Sequence, residues 1–176
     1  MNVLRRAEWP GRPAAERLRQ WATLEQLAER LGATPDYLGM ILVGSLAKGV
    51  ADPLSDIDLF LVARDGGFAA VWERRHDLHV TGALAVWEQA DGRLPDARTH
   101  VWLTEDLVVV EALIATPQSG ARLAEPAVVL VGPPELTDMF PRRPPVQRSE
   151  MRMGDHPVER AYDALKRAVR RVSFSS

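Results

Sequence analysis

The chain predicts an α+β domain, two layers deep, with a mixed sheet of about five strands flanked by helices. Three observations predict it. A helical stripe of apolar residues stands near the N-terminus. Five short apolar runs follow, separated by Gly, Pro and Asp turns. At 176 residues and 46% hydrophobic content, the chain is long enough to bury one true core.

Pro13 to Leu31 carries Leu18, Trp21, Leu24, Leu27 and Leu31 at steps of three and four, which is an amphipathic helix closed by Gly32. Tyr37 to Val43 is a first strand, Ser45 to Val50 a short helix or turn, and Asp56 to Ala63 a second strand. Phe68 to His76 suggests a helix. The stretch from there to Glu88 fits strand and helix equally, and Asp91 to Asp96 is a loop. Thr99 to Leu103 and Leu107 to Ile114 read as a hairpin turning at Thr104-Glu105-Asp106. Ala127 to Val131 is a last strand, stopped by Gly132-Pro133-Pro134.

Pro141-Arg142-Arg143-Pro144-Pro145 continues neither a helix nor a central strand and reads as a linker. A domain over 1–140 is therefore expected, with 141–176 as linker and a final helix over Val158 to Val172 that packs on or extends it. Net charge is −2, but residues 142–176 hold nine basic and four acidic side chains. A basic segment attracts phosphates or an acidic surface, and more often it is a solvated helix face.

The absence of cysteine excludes disulfides, thiolate metal sites and cysteine nucleophiles, and makes a zinc site unexpected. No run approaches the ~20 apolar residues of a membrane span, and a cytoplasmic protein is expected. His76, His79, His100 and His156 show no metal-ligand spacing and read as structural or exposed. The five tryptophans read as packing residues, with Trp102 alone near enough to the acidic hairpin to line a pocket.

The chemistry-bearing pattern is Gly44-Ser45 at the end of one apolar run, then ten residues, then Asp56-Ile57-Asp58 opening the next. In a strand, residues two apart share a face, so the two carboxylates point together with Cα atoms roughly 6.5 to 7 Å apart. That suits hard divalent cations spaced about 3.5–4 Å, as in two-metal phosphoryl chemistry. Gly44 lets the backbone approach a ligand, while Ser45, and with it Lys48 and Ser55, offers groups to phosphate oxygens. Gly44 to Gly49 has the spacing of half a phosphate-binding Walker loop, but Val50-Ala51 replaces the Lys-Ser/Thr that such a loop requires. Glu111 is a single acid in the apolar run Leu107 to Ile114, which is costly to bury unless it is paired or bound to metal. Glu105 and Asp106 are the alternative third acids.

Gly-Ser, ten residues, then Asp-x-Asp in an apolar strand resembles the nucleotidyltransferase superfamily of polymerase-β-like fold. Its aminoglycoside nucleotidyltransferases and the minimal nucleotidyltransferases of toxin–antitoxin pairs are the members it looks most like. The likeness is strong over Tyr37 to Val62 and weaker through Val131. It implies a Mg²⁺-dependent (or Mn²⁺-dependent) enzyme that transfers a nucleoside monophosphate, AMP from ATP or its equivalent from another nucleoside triphosphate, to an acceptor hydroxyl with release of pyrophosphate. Asp56, Asp58 and Glu111 are then the metal-binding and catalytic acids, Glu111 as ligand or general base, and Gly44, Ser45, Lys48 and Ser55 the nucleotide-binding residues. The implied acceptor is a small molecule such as an aminoglycoside-like compound, with the site completed by a homodimer as one option. The alternatives are an antitoxin-type enzyme that AMPylates and binds a partner toxin, and a nucleotide-binding module without catalysis. Neither nucleic acid nor a membrane is an expected partner.

Overall fold

A computed structural model of the chain describes residues 18–90, 94–142 and 156–173. Residues 13–17 of the expected first helix, 91–93 of the expected loop and 143–145 of the expected linker lie outside the described residues. The chain divides into two units, 1–144 and 145–176.

In the first unit, α1 (Gln20–Gly32) leads into β1 (Tyr37–Val43) and the single turn α2 (Gly44–Ala47), then β2 (Ile57–Ala63) and α3 (Phe68–Glu73). A 3-10 turn, Arg75–Leu78, precedes β3 (Ala85–Ala90), β4 (Ala97–Leu103) and β5 (Val109–Ala115). Two more 3-10 turns, Pro117–Ser119 and Pro134–Met139, flank β6 (Val128–Val131). The six strands form one sheet in the order β3-β4-β5-β2-β1-β6. Among the described strands, β2 and β5 pair in parallel and the other neighbours are antiparallel.

Strand alternation divides the core between the two sheet faces. Leu42, Ile57, Leu59, Leu61, Val110, Ala112 and Trp102 belong to one cluster, shared with Leu24, Leu27 and Leu31 of α1 and with Phe68, Val71 and Trp72 of α3. The three α1 leucines are fully buried, each contributing about 1.5–3 kcal/mol by leaving water. Ile41, Phe60, Val62 and Ala115 project the other way, onto Leu136 and Phe140, with the Phe60 and Phe140 rings 4.5 Å apart edge to face. This second face carries the site.

The structure adds one strand to the five expected. The ambiguous stretch becomes the 3-10 turn and β3, an edge strand paired only with β4. The hairpin turn is also longer than expected, because Thr104 and Val108 hold it closed while Leu107 takes a left-handed φ of 58°. In the second unit the described element is α4 (Pro157–Ser173), where Lys166 pairs with Asp163 at 3.1 Å and lies over the Tyr162 ring. No helix among the described residues is long and apolar enough to cross a membrane.

Candidate active site

β2 starts at Ile57, so Asp56 is the last residue of the preceding loop and Asp58 the second of the strand. Ser55, Ile57 and Leu59 are buried, while Asp56 and Asp58 are half-buried between them. Ile57 and Leu59 are drawn into the core beneath α1, which turns the carboxylates toward the opposite face.

On one side of β2, the parallel ladder sets Asp58 level with Glu111, between the pairs Ile57–Val110 and Leu59–Ala112. Level residues on neighbouring strands share a face with their backbones about 4.8 Å apart. Glu111 is half-buried, so the three acids Asp56, Asp58 and Glu111 gather at one end of two adjacent strands. Glu105 and Asp106 stand in the exposed hairpin turn instead.

On the other side, Asp58 pairs with Val43, the last residue of β1, and Gly44 follows directly. Gly44 has a φ of 70°, and a Cβ on it would lie 1.8 Å from Oδ2 of Asp58. The Asp58 carboxylate fills the space a side chain would need, so both the backbone conformation and the contact require glycine. The chain then closes a single turn, with Lys48 N–H donating to the Gly44 carbonyl and Val50 N–H to that of Ser45, each at 3.1 Å. Leu46 and Ala47 anchor this turn in the core. Ser45 is half-buried beside the acids' end of β1, and Lys48 is exposed.

Ser55 is engaged inside its own loop. Its hydroxyl accepts from the Asp52 N–H at 2.9 Å and donates to Asp52 Oδ1 at 3.1 Å, and that oxygen also accepts from the Leu54 N–H. Gln20 of α1 clamps this loop from below. Fully buried, it donates through Nε2 to the carbonyls of Ser55 at 2.8 Å and Asp52 at 3.1 Å. Neither Gln20 nor Asp52 was among the expected site residues. The available signal was positional: Gln20 lies on the stripe of Leu24, Leu27 and Leu31, where a polar residue must find a buried partner.

Trp102 is fully buried in the cluster under α1 and α3, on the face away from the acids, because strand alternation sends it opposite to Val101, the partner of Glu111. His76, His79 and His100, which show no metal-ligand spacing along the sequence, converge in the fold, with one nitrogen of each ring within 4.8 Å of the others.

The donors at the acid site are carboxylate oxygens, a set suited to Mg²⁺ or Mn²⁺ rather than to softer metals. The space over Gly44 that holds the Asp58 carboxylate fits the same use, since a larger residue would push that donor aside.

Among solved structures, that of Cid1 in complex with the UTP analogue UMPNPP is similar, with a TM-score of 0.37 and 16% identity over 66% of this chain and 32% of that one. The chain thus spans about a third of that protein's length. No curated protein sequence matches significantly. The nucleotidyltransferase domain family matches residues 24–116, a stretch from α1 to the end of β5 that includes every one of these site residues except Gln20. That match covers more than half of the chain, which therefore belongs to the nucleotidyltransferase domain family.

Proposed function

We propose that the chain is a metal-dependent nucleotidyltransferase that transfers a nucleoside monophosphate, AMP from ATP in the first instance, to an acceptor hydroxyl with release of pyrophosphate. The observation that carries this reading is the meeting of Asp56, Asp58 and Glu111 at one end of β2 and β5, beside the Gly44 turn. Asp56, Asp58 and Glu111 would hold two Mg²⁺ ions, which when bound supply charge neutralisation of the triphosphate and a lowered proton affinity of the attacking oxygen.

The chain's own residues provide position and proton transfer. Gly44 leaves room for the Asp58 carboxylate against the backbone beside the phosphate site, and the Ser45 hydroxyl donates to a phosphate oxygen. Lys48, exposed at the end of the turn, offers a cation to the same charge. Ser55, expected to offer its hydroxyl to the phosphates, instead commits that hydroxyl to Asp52 and holds the loop before Asp56. Glu111 lies level with Asp58 and accepts the proton of the acceptor hydroxyl as it attacks the α-phosphorus. The bond to the bridging oxygen then breaks, and pyrophosphate leaves with the electron pair.

The test is transfer of label from α-phosphate-labelled ATP, and then from the other labelled nucleoside triphosphates, with Mg²⁺ into a cell extract, separated into small molecules and proteins, with Asp58→Asn as control. Label in the small-molecule fraction is expected, and label on a single protein would assign the acceptor to a partner such as a toxin. No label in either fraction with any nucleoside triphosphate, or label that persists in Asp58→Asn, would overturn the proposal.

A further inference from the structure

The sheet face opposite the acids holds a second group of potential ligands. His76 sits in the 3-10 turn Arg75–Leu78, and His79 follows three residues later, the spacing at which side chains of a 3-10 helix eclipse. A backbone hydrogen bond from His79 N–H to the His76 carbonyl, at 3.1 Å, fixes that alignment. His100 reaches the same point from the middle of β4. The three ring centroids are 5.1 to 5.4 Å apart, and Nε2 of His79 lies 2.9 Å from Nε2 of His100.

We propose that His76, His79 and His100 form a three-imidazole site for a borderline divalent transition metal of the Zn²⁺ class, with the fourth position open toward solvent. The inference is independent of the proposed activity, since no acid of that site takes part.

Four features support it. The cluster holds no carboxylate, and an all-nitrogen donor set selects Zn²⁺, Co²⁺, Ni²⁺ or Cu²⁺ over Mg²⁺ and Ca²⁺. Two Nε2 atoms facing each other at 2.9 Å share a single proton, one donating and the other accepting. A metal in place of that proton would use both lone pairs. The ligands are also graded in depth: His100 is fully buried, His79 half-buried and His76 exposed, so an ion has a path in and a ring free to swing onto it. Finally, Trp72 and Trp102 wall the buried side, with ring centroids 6.2 and 5.4 Å from that of His100. Arg75, the residue before His76, is tied to Glu88 at 2.6 Å.

Tetrahedral ligation with Zn–N bonds of 2.0–2.1 Å places nitrogens about 3.3 Å apart. From separations of 2.9 to 4.8 Å, the site closes by small movements, the largest falling to the exposed His76 ring. The bound ion would staple the segment after α3 to β4, which lies beside the strand carrying Glu111.

The test uses the full chain, stripped with a chelator and titrated with Co²⁺ in excess Mg²⁺, which occupies oxygen sites and leaves imidazoles free. Binding of one Co²⁺, with the visible ligand-field absorption of nitrogen coordination and displacement by Zn²⁺, is expected. His76→Ala, which changes an exposed side chain and should keep the fold by circular dichroism, should weaken that binding by more than about tenfold. Asp58→Asn should leave it unchanged. Unaltered Co²⁺ affinity in His76→Ala, loss of the signal in Asp58→Asn, or no Co²⁺ uptake by the wild-type chain would each overturn the proposal.

Discussion

Gly44 and Asp58 are best understood together. The glycine is required twice, by its φ of 70° and by the carboxylate that occupies its side-chain space. Gly44→Ala therefore pays about 1–2 kcal/mol for the left-handed backbone and must also displace Asp58. A modest fall in the denaturant midpoint is expected, with a loss of kcat/KM far larger than that fall would explain. Comparable losses in the two would mean that the Asp58 position is not what the glycine protects. These two residues were legible in the sequence because a two-residue period and a strand-ending glycine are local signals. His100 was not legible, since its cluster partners are 21 and 24 positions away in the chain.

Elements, in turn, set the loops that set the residues. α1 was expected from its leucine stripe, but its second task was hidden: Gln20 reaches across to the carbonyls of Asp52 and Ser55 and fixes the loop that delivers Asp56. Gln20→Leu keeps the volume and leaves two carbonyls in a buried setting without that donor. A loss of about 1–3 kcal/mol in urea unfolding is expected, together with weaker Mg²⁺-dependent turnover. An unchanged unfolding midpoint would show that water serves those carbonyls equally well. β3 escaped the sequence reading for a different reason. An edge strand with the residues Ala85-Val86-Trp87-Glu88-Gln89-Ala90 owes its form to pairing with β4, and its own alternation is too short to distinguish strand from helix.

The molecule as a whole inherits a pH dependence from its buried histidines. Burial first, then His79, His76 and Arg75, pushes the His100 imidazole down to about 3, and burial with His76 and Arg75 also lowers that of His79. In the unfolded chain both titrate near 6.5. Above that value neither state gains a proton. As pH falls below about 6.5, the unfolded chain takes up protons that the folded chain refuses, and folded stability declines. With metal chelated, Tm should drop between about pH 7 and pH 5, and His100→Gln should flatten the slope. An equally steep slope in the variant would assign the protons elsewhere. The sheet and its acids were visible in the sequence at this level because strands and turns are written locally. The pairing order was not, because it depends on contacts that no single segment encodes.

The lone parallel joint of the sheet is a seam between two antiparallel halves, β3-β4-β5 on one side and β2-β1-β6 on the other. Asp56 and Asp58 belong to one half and Glu111 to the other. Slipping the seam by one residue, about 3.3 Å, would carry Glu111 past Asp58 and turn its side chain to the opposite face. The assembly of the three carboxylates is thus quantised by the ladder: it exists in one register and has no intermediate settings through which it can be gradually weakened.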